Sequence, residues 1–253
     1  MTDWVLITGA SSGIGLELAK CFAADHFNLI LTARNEARLK QVADELRAQH
    51  GIQTKVIAKD LALPGAAQQI FDALRGTPVS ILVNNAGFGV HGLFAKTDLR
   101  TQTDLLQVNM TALVQLTHLF LQPMLTSNRG RIMNVASTAA FQPGPTINVY
   151  FASKAFVYSF SYALAEELTG TNVTVTTLCP GTTRTEFFVR GNFGPVRGPF
   201  TMGADEVARI GYRGLMNGKR VVIPGLVNKV AAAISKRMPA RVTAYFVRKL
   251  HKY

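Results

Sequence analysis

The spacing of apolar positions changes repeatedly along this chain, and each change marks an element. Trp4-Val5-Leu6-Ile7-Thr8 is an unbroken run of strand character. Directly after it Leu16, Leu18, Ala19, Phe22 and Ala23 recur at helical spacing. The alternation then repeats. Residues 28–33 read as a buried strand, and 35–50 as an amphipathic helix with Leu39, Val42, Ala43 and Leu46 on one face. Strands are predicted at 53–58, 79–83, 131–135, 173–178 and 220–223. Helices are predicted at 64–74, 100–125, 148–168 and 205–216, the first opening on Pro64. Strands alternating with helices imply βαβ units, right-handed crossovers and a parallel sheet covered on both faces. The expectation is one α/β domain with a doubly wound sheet of about seven strands, without internal repeats or low-complexity linkers.

Chemistry in such a sheet lies beyond the carboxyl ends of the strands. There the chain carries Thr8-Gly9-Ala10-Ser11-Ser12-Gly13-Ile14-Gly15, Ala33-Arg34, Asp60-Leu61, Asn84-Asn85-Ala86-Gly87, Ser137 and Pro180-Gly181. The first is a glycine-rich turn between a buried strand and a helix start. Glycines let the backbone approach a pyrophosphate, and the helix N-terminus offers unpaired N–H groups. Tyr150 and Lys154 lie four apart, on one face of the 148–168 helix. An ammonium beside a phenol favours phenolate and lowers its pKa, and such a tyrosine can exchange a proton with an alcohol or carbonyl. Taken alone, the same spacing also arises in helices with no chemistry.

Composition narrows the class. The 253 residues are 48% hydrophobic, enough for a sizeable core. Two cysteines, Cys21 and Cys179, make neither a disulfide framework nor a metal spacing, which fits a reducing compartment. No secretory signal and no apolar run near ~18 residues is visible, so a cytoplasmic protein is expected. The net charge of +12 is uneven. Residues 207–253 hold eleven Lys or Arg and no Asp or Glu, and residues 1–206 carry a net charge of only +1. No stacking or reading motif accompanies the basic end, so nucleic acid is not an expected partner.

The motifs together resemble the short-chain dehydrogenase/reductase family over residues 3–225. Thr8–Gly15, Asn84-Asn85-Ala86-Gly87, Asn109, Ser137, Tyr150-Phe151-Ala152-Ser153-Lys154 and Pro180-Gly181 occur in that family's order and at its spacing, with thirteen residues from Ser137 to Tyr150. The resemblance implies a Rossmann-type catalytic domain over 1–225 and a basic extension over 226–253. It assigns Tyr150 as general acid in reduction and base in oxidation. Lys154 would lower the Tyr150 pKa and hold the nicotinamide ribose, Ser137 would hold and position the substrate oxygen, and Asn109 would fix a water in a proton relay. The cofactor would be gripped by Gly9, Ser11, Ser12, Gly13, Ile14 and Gly15. Asp60 with Leu61 would meet the adenine edge. Asn84, Ala86 and Gly87 would wall the adenosine ribose, Pro180 and Gly181 would flank the nicotinamide, and Thr185 would contact its carboxamide.

Coenzyme choice turns on Ala33-Arg34. An NAD site of this kind wants an acidic side chain here to bond the adenosine 2′-hydroxyl. Alanine followed by arginine instead suits a 2′-phosphate, so NADP(H) is the expected cofactor. Four phenylalanines in the 185–203 segment, Phe187, Phe188, Phe193 and Phe200, suggest an apolar lid, with Phe88, Val90, Phe94, Phe141 and Ile147 as the other walls. The leading reading is an NADP(H)-dependent oxidoreductase of a lipophilic ketone, aldehyde or alcohol. A 3-oxoacyl thioester reductase and a non-catalytic NADP(H)-binding sensor are the alternatives. In this family the 100–125 and 148–168 helices commonly pair across a two-fold axis, so a homodimer or homotetramer is expected, with Phe151, Ala155, Tyr158 and Tyr162 as extra contacts.

In the tail, Val230, Ile234, Met238, Val242, Phe246 and Leu250 fall every fourth residue among basic ones, and Pro239 should divide the stretch into two helices. That stripe either packs on protein or makes a peripheral membrane contact through residues 228–253.

Overall fold

The computed structural model describes residues 3–187, 191 and 201–250. Seven strands form one parallel sheet: β1 (Trp4–Thr8), β2 (Asn28–Ala33), β3 (Thr54–Ala58), β4 (Val79–Asn84), β5 (Gly130–Val135), β6 (Val173–Leu178) and, at the far edge, the short pair Val221–Val222. The order is β3-β2-β1-β4-β5-β6, then that edge strand. The direction of winding therefore reverses between β1 and β4, and a crevice opens there. The central strands are buried on both faces, which explains why they read as continuous apolar runs rather than alternating ones.

Helices α1 (Gly13–Ala24) and α2 (Glu36–His50) pack on one face, and α3 (Ala66–Ala73) on the other. Asn35 caps α2 by accepting from the Arg38 N–H at 3.0 Å, and Gly51 ends it in the left-handed conformation. The third helix starts two residues later than Pro64 suggests, because Gly65 takes φ +77° and turns the chain first. Phe22, Leu18, Leu31 and Leu39 are fully buried in the first layer. Truncating such a side chain, Phe22→Ala for instance, costs about 3–5 kcal/mol.

The 100–125 helix is continuous but not uniform. It comprises α4 (Leu99–Leu106), a π-helical turn (Gln107–Thr111) and α5 (Ala112–Thr126). Wide turns of this kind re-aim side chains, often at functional sites, and this one carries Asn109. Helix α6 (Asn148–Glu167) follows β5 and a short turn, Thr138–Phe141. After β6 two two-residue strands, β7 (Thr183–Arg184) and β8 (Met202–Gly203), pair in parallel. They fasten the two ends of the expected lid. Phe188, Phe193 and Phe200 lie outside the described residues. Helix α7 (Ala204–Met216) returns over α1, where Tyr212 meets Phe22 edge-on.

The tail forms two helices, α8 (Leu226–Ser235) and α9 (Ala240–Leu250), with Pro239 just ahead of the second. The expected stripe does not pack inward: Val230, Ile234, Val242 and Phe246 are exposed. Ala232, Thr243 and Val247 face the body instead. Helix α6 also departs from expectation. Phe151 is buried and Tyr158 packs edge-on against Phe141, so Phe156 and Tyr162 are its exposed aromatics.

Candidate active site

The crevice between β1 and β4 is a cleft of about 1100 Å³ that runs from Arg34 at one end to Phe187 at the other. Its floor is fixed by Thr8. The Thr8 hydroxyl accepts from the N–H groups of Asn85 and Ala86, both at 2.9 Å, and donates to the Val83 carbonyl at 3.3 Å. The Asn85 carboxamide donates to the Thr8 carbonyl at 2.9 Å. Two strand-end loops distant in sequence are thus locked together.

Over this floor the glycine turn is shaped by close approach. Gly9 and Gly13 have φ +67° and +58°, where a side chain is strained. A Cβ on Gly15 would sit 2.4 Å from the Gly9 carbonyl oxygen and from Asn85 Nδ2. Gly15 therefore lets α1 lie against the turn and does not itself line the cleft, contrary to its expected cofactor contact. Ser11, Ser12, Gly13 and Ile14 do line it. Ser12 precedes α1 in an extended conformation, its side chain makes no capping bond, and no acidic residue occupies the first turn. The α1 N-terminus so offers backbone donors and positive dipole to an anion in the cleft.

Asn84 does not wall the cleft as expected. Its side chain is buried, donating to Thr117 Oγ1 at 3.0 Å and Asn134 Oδ1 at 2.9 Å. The last residue of a strand buried on both faces points into a layer, so the next one, Asn85, faces the cleft with Ala86 and Gly87. Asp60 and Leu61 line the cleft, and Asp60 accepts from the Ala62 N–H at 3.0 Å, holding that turn. Arg34 lines the same end, with Lys59 nearby, a residue that no motif singled out. Lys59 donates to Gln69 at 2.8 Å.

At the other end the structure brings together Ser137, Tyr150 and Lys154, with Pro180, Gly181 and Thr185 around them. Lys154 Nζ donates to the Val135 carbonyl at 2.8 Å and lies 5.7 Å from the Tyr150 ring centroid. Ser137 Oγ accepts from the Ala139 N–H at 3.1 Å. Burial pushes the Tyr150 phenol up to about 12, and a hydrogen bond with Ser137 works in the opposite direction. Burial likewise brings the Lys154 ammonium down to about 8. Desolvation outweighs that bond, and the expected lowering of Tyr150 by Lys154 does not arise in the cofactor-free protein. The phenol is held in its protonated, donating form.

Asn109 sits in the π-helical turn, fully engaged. Its oxygen accepts from the Phe88 N–H at 3.1 Å, and its nitrogen donates to the Phe88 carbonyl at 3.0 Å and Ser153 Oγ at 3.1 Å. Ser153, part of the motif but given no role of its own by the sequence, donates in turn to the Tyr150 carbonyl at 2.7 Å. Asn109 thereby ties the strand-end loop to the helix that carries Tyr150 and Lys154. A Cβ on Gly87 would lie 3.0 Å from Asn109 Oδ1 and 3.3 Å from Lys154 Nζ, so glycine keeps that space open.

Phe88, Ile147, Phe151 and Phe187 make the outer part of this end apolar, with the Phe187 ring 5.2 Å from that of Tyr150. Phe141 is not the substrate wall the sequence suggests. It faces away from the cleft, packed on Tyr158 beneath Lys236. Gln142 lines the wall in its place and accepts from Ser235 Oγ of α8 at 3.0 Å. Neither Val90 nor Phe94 lines the cleft.

The sequence model of the short chain dehydrogenase family matches residues 3–192. The chain belongs to that family. Among its relatives, sulfoacetaldehyde reductase 2 of Chromohalobacter salexigens is 40% identical over 191 residues, covering 74% of this chain and 75% of that one. The 17-beta-hydroxysteroid dehydrogenase type 3 of Mus musculus is 31% identical over 247 residues, 96% of this chain and 78% of that one. A very-long-chain 3-oxoacyl-CoA reductase of Phaeosphaeria nodorum is 38% identical over 172 residues, and the match spans half of that relative's length. Among solved structures, a short-chain dehydrogenase from Sphingobium yanoikuyae in complex with NADPH superposes with a TM-score of 0.83 at 31% identity, covering 94% of this chain and 96% of that one. As a short chain dehydrogenase the protein is an oxidoreductase of alcohol and carbonyl groups that uses a nicotinamide dinucleotide. The glycine turn, the uncapped α1 N-terminus and the space kept open at Gly87 fit such a cofactor.

Proposed function

We propose that the protein is an NADPH-dependent reductase of a lipophilic ketone or aldehyde, able to run in reverse on the alcohol. One observation carries the reading: a single cleft joins Arg34, with Ala33 in place of an acid, to Ser137, Tyr150 and Lys154 beside apolar walls. Arg34 would hold the 2′-phosphate of NADPH through a charge-assisted contact. A nicotinamide bound there would supply the hydride. The Ser137 hydroxyl donates to the substrate oxygen and stabilises its developing negative charge. Tyr150 gives that oxygen its proton, and positive charge brought close to the phenol would offset the burial that raises its pKa. Lys154 holds the ribose hydroxyls and supplies positive charge to the phenolate as it forms. Asn109, with both carboxamide atoms bonded to protein, is a positioning residue for Phe88 and α6.

The protein is further proposed to be a cytoplasmic homodimer or homotetramer, joined through α4–α5 and α6, whose Phe156 and Tyr162 are exposed. A panel of linear C4–C20 and cyclic ketones and aldehydes, with NADPH oxidation followed, tests the reading. Turnover should rise with apolar size, and activity confined to small, charged aldehydes would refute it. A second reading, reduction of 3-oxoacyl thioesters, is favoured by the similarity to very-long-chain 3-oxoacyl-CoA reductases, and acyl-CoA substrates belong in the same panel.

A further inference from the structure

The tail helices carry an uncommon surface. Seven of the fourteen large apolar side chains exposed among the described residues lie between Leu226 and Phe246. Val230, Ile234 and Phe246 are 51%, 51% and 53% exposed, although they are the positions an inward-packing helix would bury. Soluble surfaces rarely gather apolar groups in this way unless something covers them. Around them stand Lys229, Arg237, Arg241, Arg248 and Lys249, all exposed, while Lys236 turns back onto Phe141 and Tyr158, and no Asp or Glu follows Glu206. Arg248 and Lys249 lie over the Tyr245 ring, at 5.9 and 5.0 Å from its centroid.

The opposite face of the same helices packs behind the walls of the substrate end of the cleft. Val247, 2% exposed, packs with Ala139, Ile147 and Phe151, and Tyr150 rests against that cluster. Asn228 lies on Gly181, where a Cβ would meet its side chain at 2.3 Å. Ser235 bonds Gln142 in the wall. The tail is therefore a two-sided element, with the active site beneath it and an apolar, wholly basic surface above.

We infer that this outer surface of α8–α9 docks on an anionic membrane, placing the substrate end of the cleft at the lipid interface. The charge argues for lipid over a second copy of the chain. An isologous contact would set the same basic face against itself, with no acidic residue in the tail to neutralise it. An anionic headgroup layer answers both features at once, taking the apolar side chains below the headgroups and the Lys and Arg among them. A lipophilic carbonyl could then enter from the bilayer; this last step rests on the function proposed above, whereas docking does not.

Sedimentation with vesicles tests the docking on the full chain. Phosphatidylcholine vesicles are compared with vesicles containing about one-third phosphatidylglycerol, at low salt and at about 0.5 M salt. Binding should occur only with the anionic vesicles at low salt. The pair Ile234→Ser and Phe246→Ser should weaken it roughly tenfold or more, as should Lys229→Gln with Arg241→Gln. All four side chains are exposed, so circular dichroism and NADPH-dependent turnover of a water-soluble ketone should be unchanged. Failure of the wild type to bind anionic vesicles, equal binding to phosphatidylcholine, or full binding by the apolar pair would each overturn the proposal. So would light scattering that shows the apolar pair dissociating an oligomer, since a second copy would then cover the face. Vesicle binding by a protein that reduces no carbonyl would uphold the docking surface and refute the reductase.

Discussion

The two ends of the cleft are built by opposite means. The cofactor end is mostly main chain: a glycine turn, the N-terminus of α1, and strand-end loops joined through Thr8 and Asn85. Its residues come in short contiguous motifs, and each glycine answers a local steric demand. The substrate end is made of side chains from segments far apart in sequence. Phe88 follows β4, Ile147 and Phe151 lie about α6, Phe187 follows β7, and Val247 of the last helix supports Ile147 and Phe151 from behind. A phosphate is recognised by N–H groups and charge wherever a helix begins, which demands a fixed pattern. An apolar substrate demands only shape, which many combinations of residues supply. The first end therefore identifies the family and the second separates its members.

The sharpest way to break this comparison is to alter one atom at the reacting centre. Tyr150→Phe removes only the phenol oxygen, and turnover should fall roughly 10²–10⁴-fold. NADPH affinity, read by fluorescence titration, should stay close to wild type, because the cofactor end is unaltered. Retention of more than a few per cent of the rate on a good substrate would remove Tyr150 from the proposed role.

A smaller effect is expected at the far end. Ala33→Asp with Arg34→Leu exchanges a partner for the 2′-phosphate for one that suits a 2′-hydroxyl. The ratio of kcat/KM for NADPH over NADH should drop about 10- to 10³-fold, on the order of 1–4 kcal/mol. Substrate preference should not change. A wild type that already prefers NADH would contradict the Arg34 reading.

The smallest effect sharpens the role of burial at the reacting end. Lys154 is lowered to about 8 by desolvation, so between pH 8 and its ordinary value near 10.5 the unfolded chain binds more protons there than the native one. Stability of the cofactor-free protein should therefore gain from this group as pH rises from 8 toward 10, by about 3 kcal/mol at most. Tyr150, raised to about 12, acts oppositely, but only above pH 10, where the unfolded phenol ionises first. Thermal melts of wild type and Lys154→Met at pH 7 and 9.5 measure the difference. A gap that does not shift with pH would mean that the ammonium is solvated.

Much of the architecture was legible because it follows from period. Buried strands and amphipathic helices differ in the spacing of apolar residues, and all seven sheet strands fall where that spacing places them. The glycine turn and the pairing of Tyr150 with Lys154 were legible for a similar reason: both lie within one turn of local geometry. What sequence could not decide is which way a side chain faces once elements pack. Asn84 and Asn85 are chemically identical, and only the two-sided burial of β4 sends the first into the core and the second to the cleft. Phe141 suits a substrate wall by composition, yet it turns to Tyr158. Asn109 reaches Phe88 and Ser153 because a π-helical turn rotates it there, and residue propensities do not encode that extra residue per turn. The tail makes the same point in reverse. Its sequence alone determined two basic helices divided at Pro239. Only the tertiary structure, by seating Val247 and Ser235 on the active site, decided that the apolar stripe faces outward. Periodicity says that a helix has an apolar face, but the shape of the surface beneath selects the face that packs.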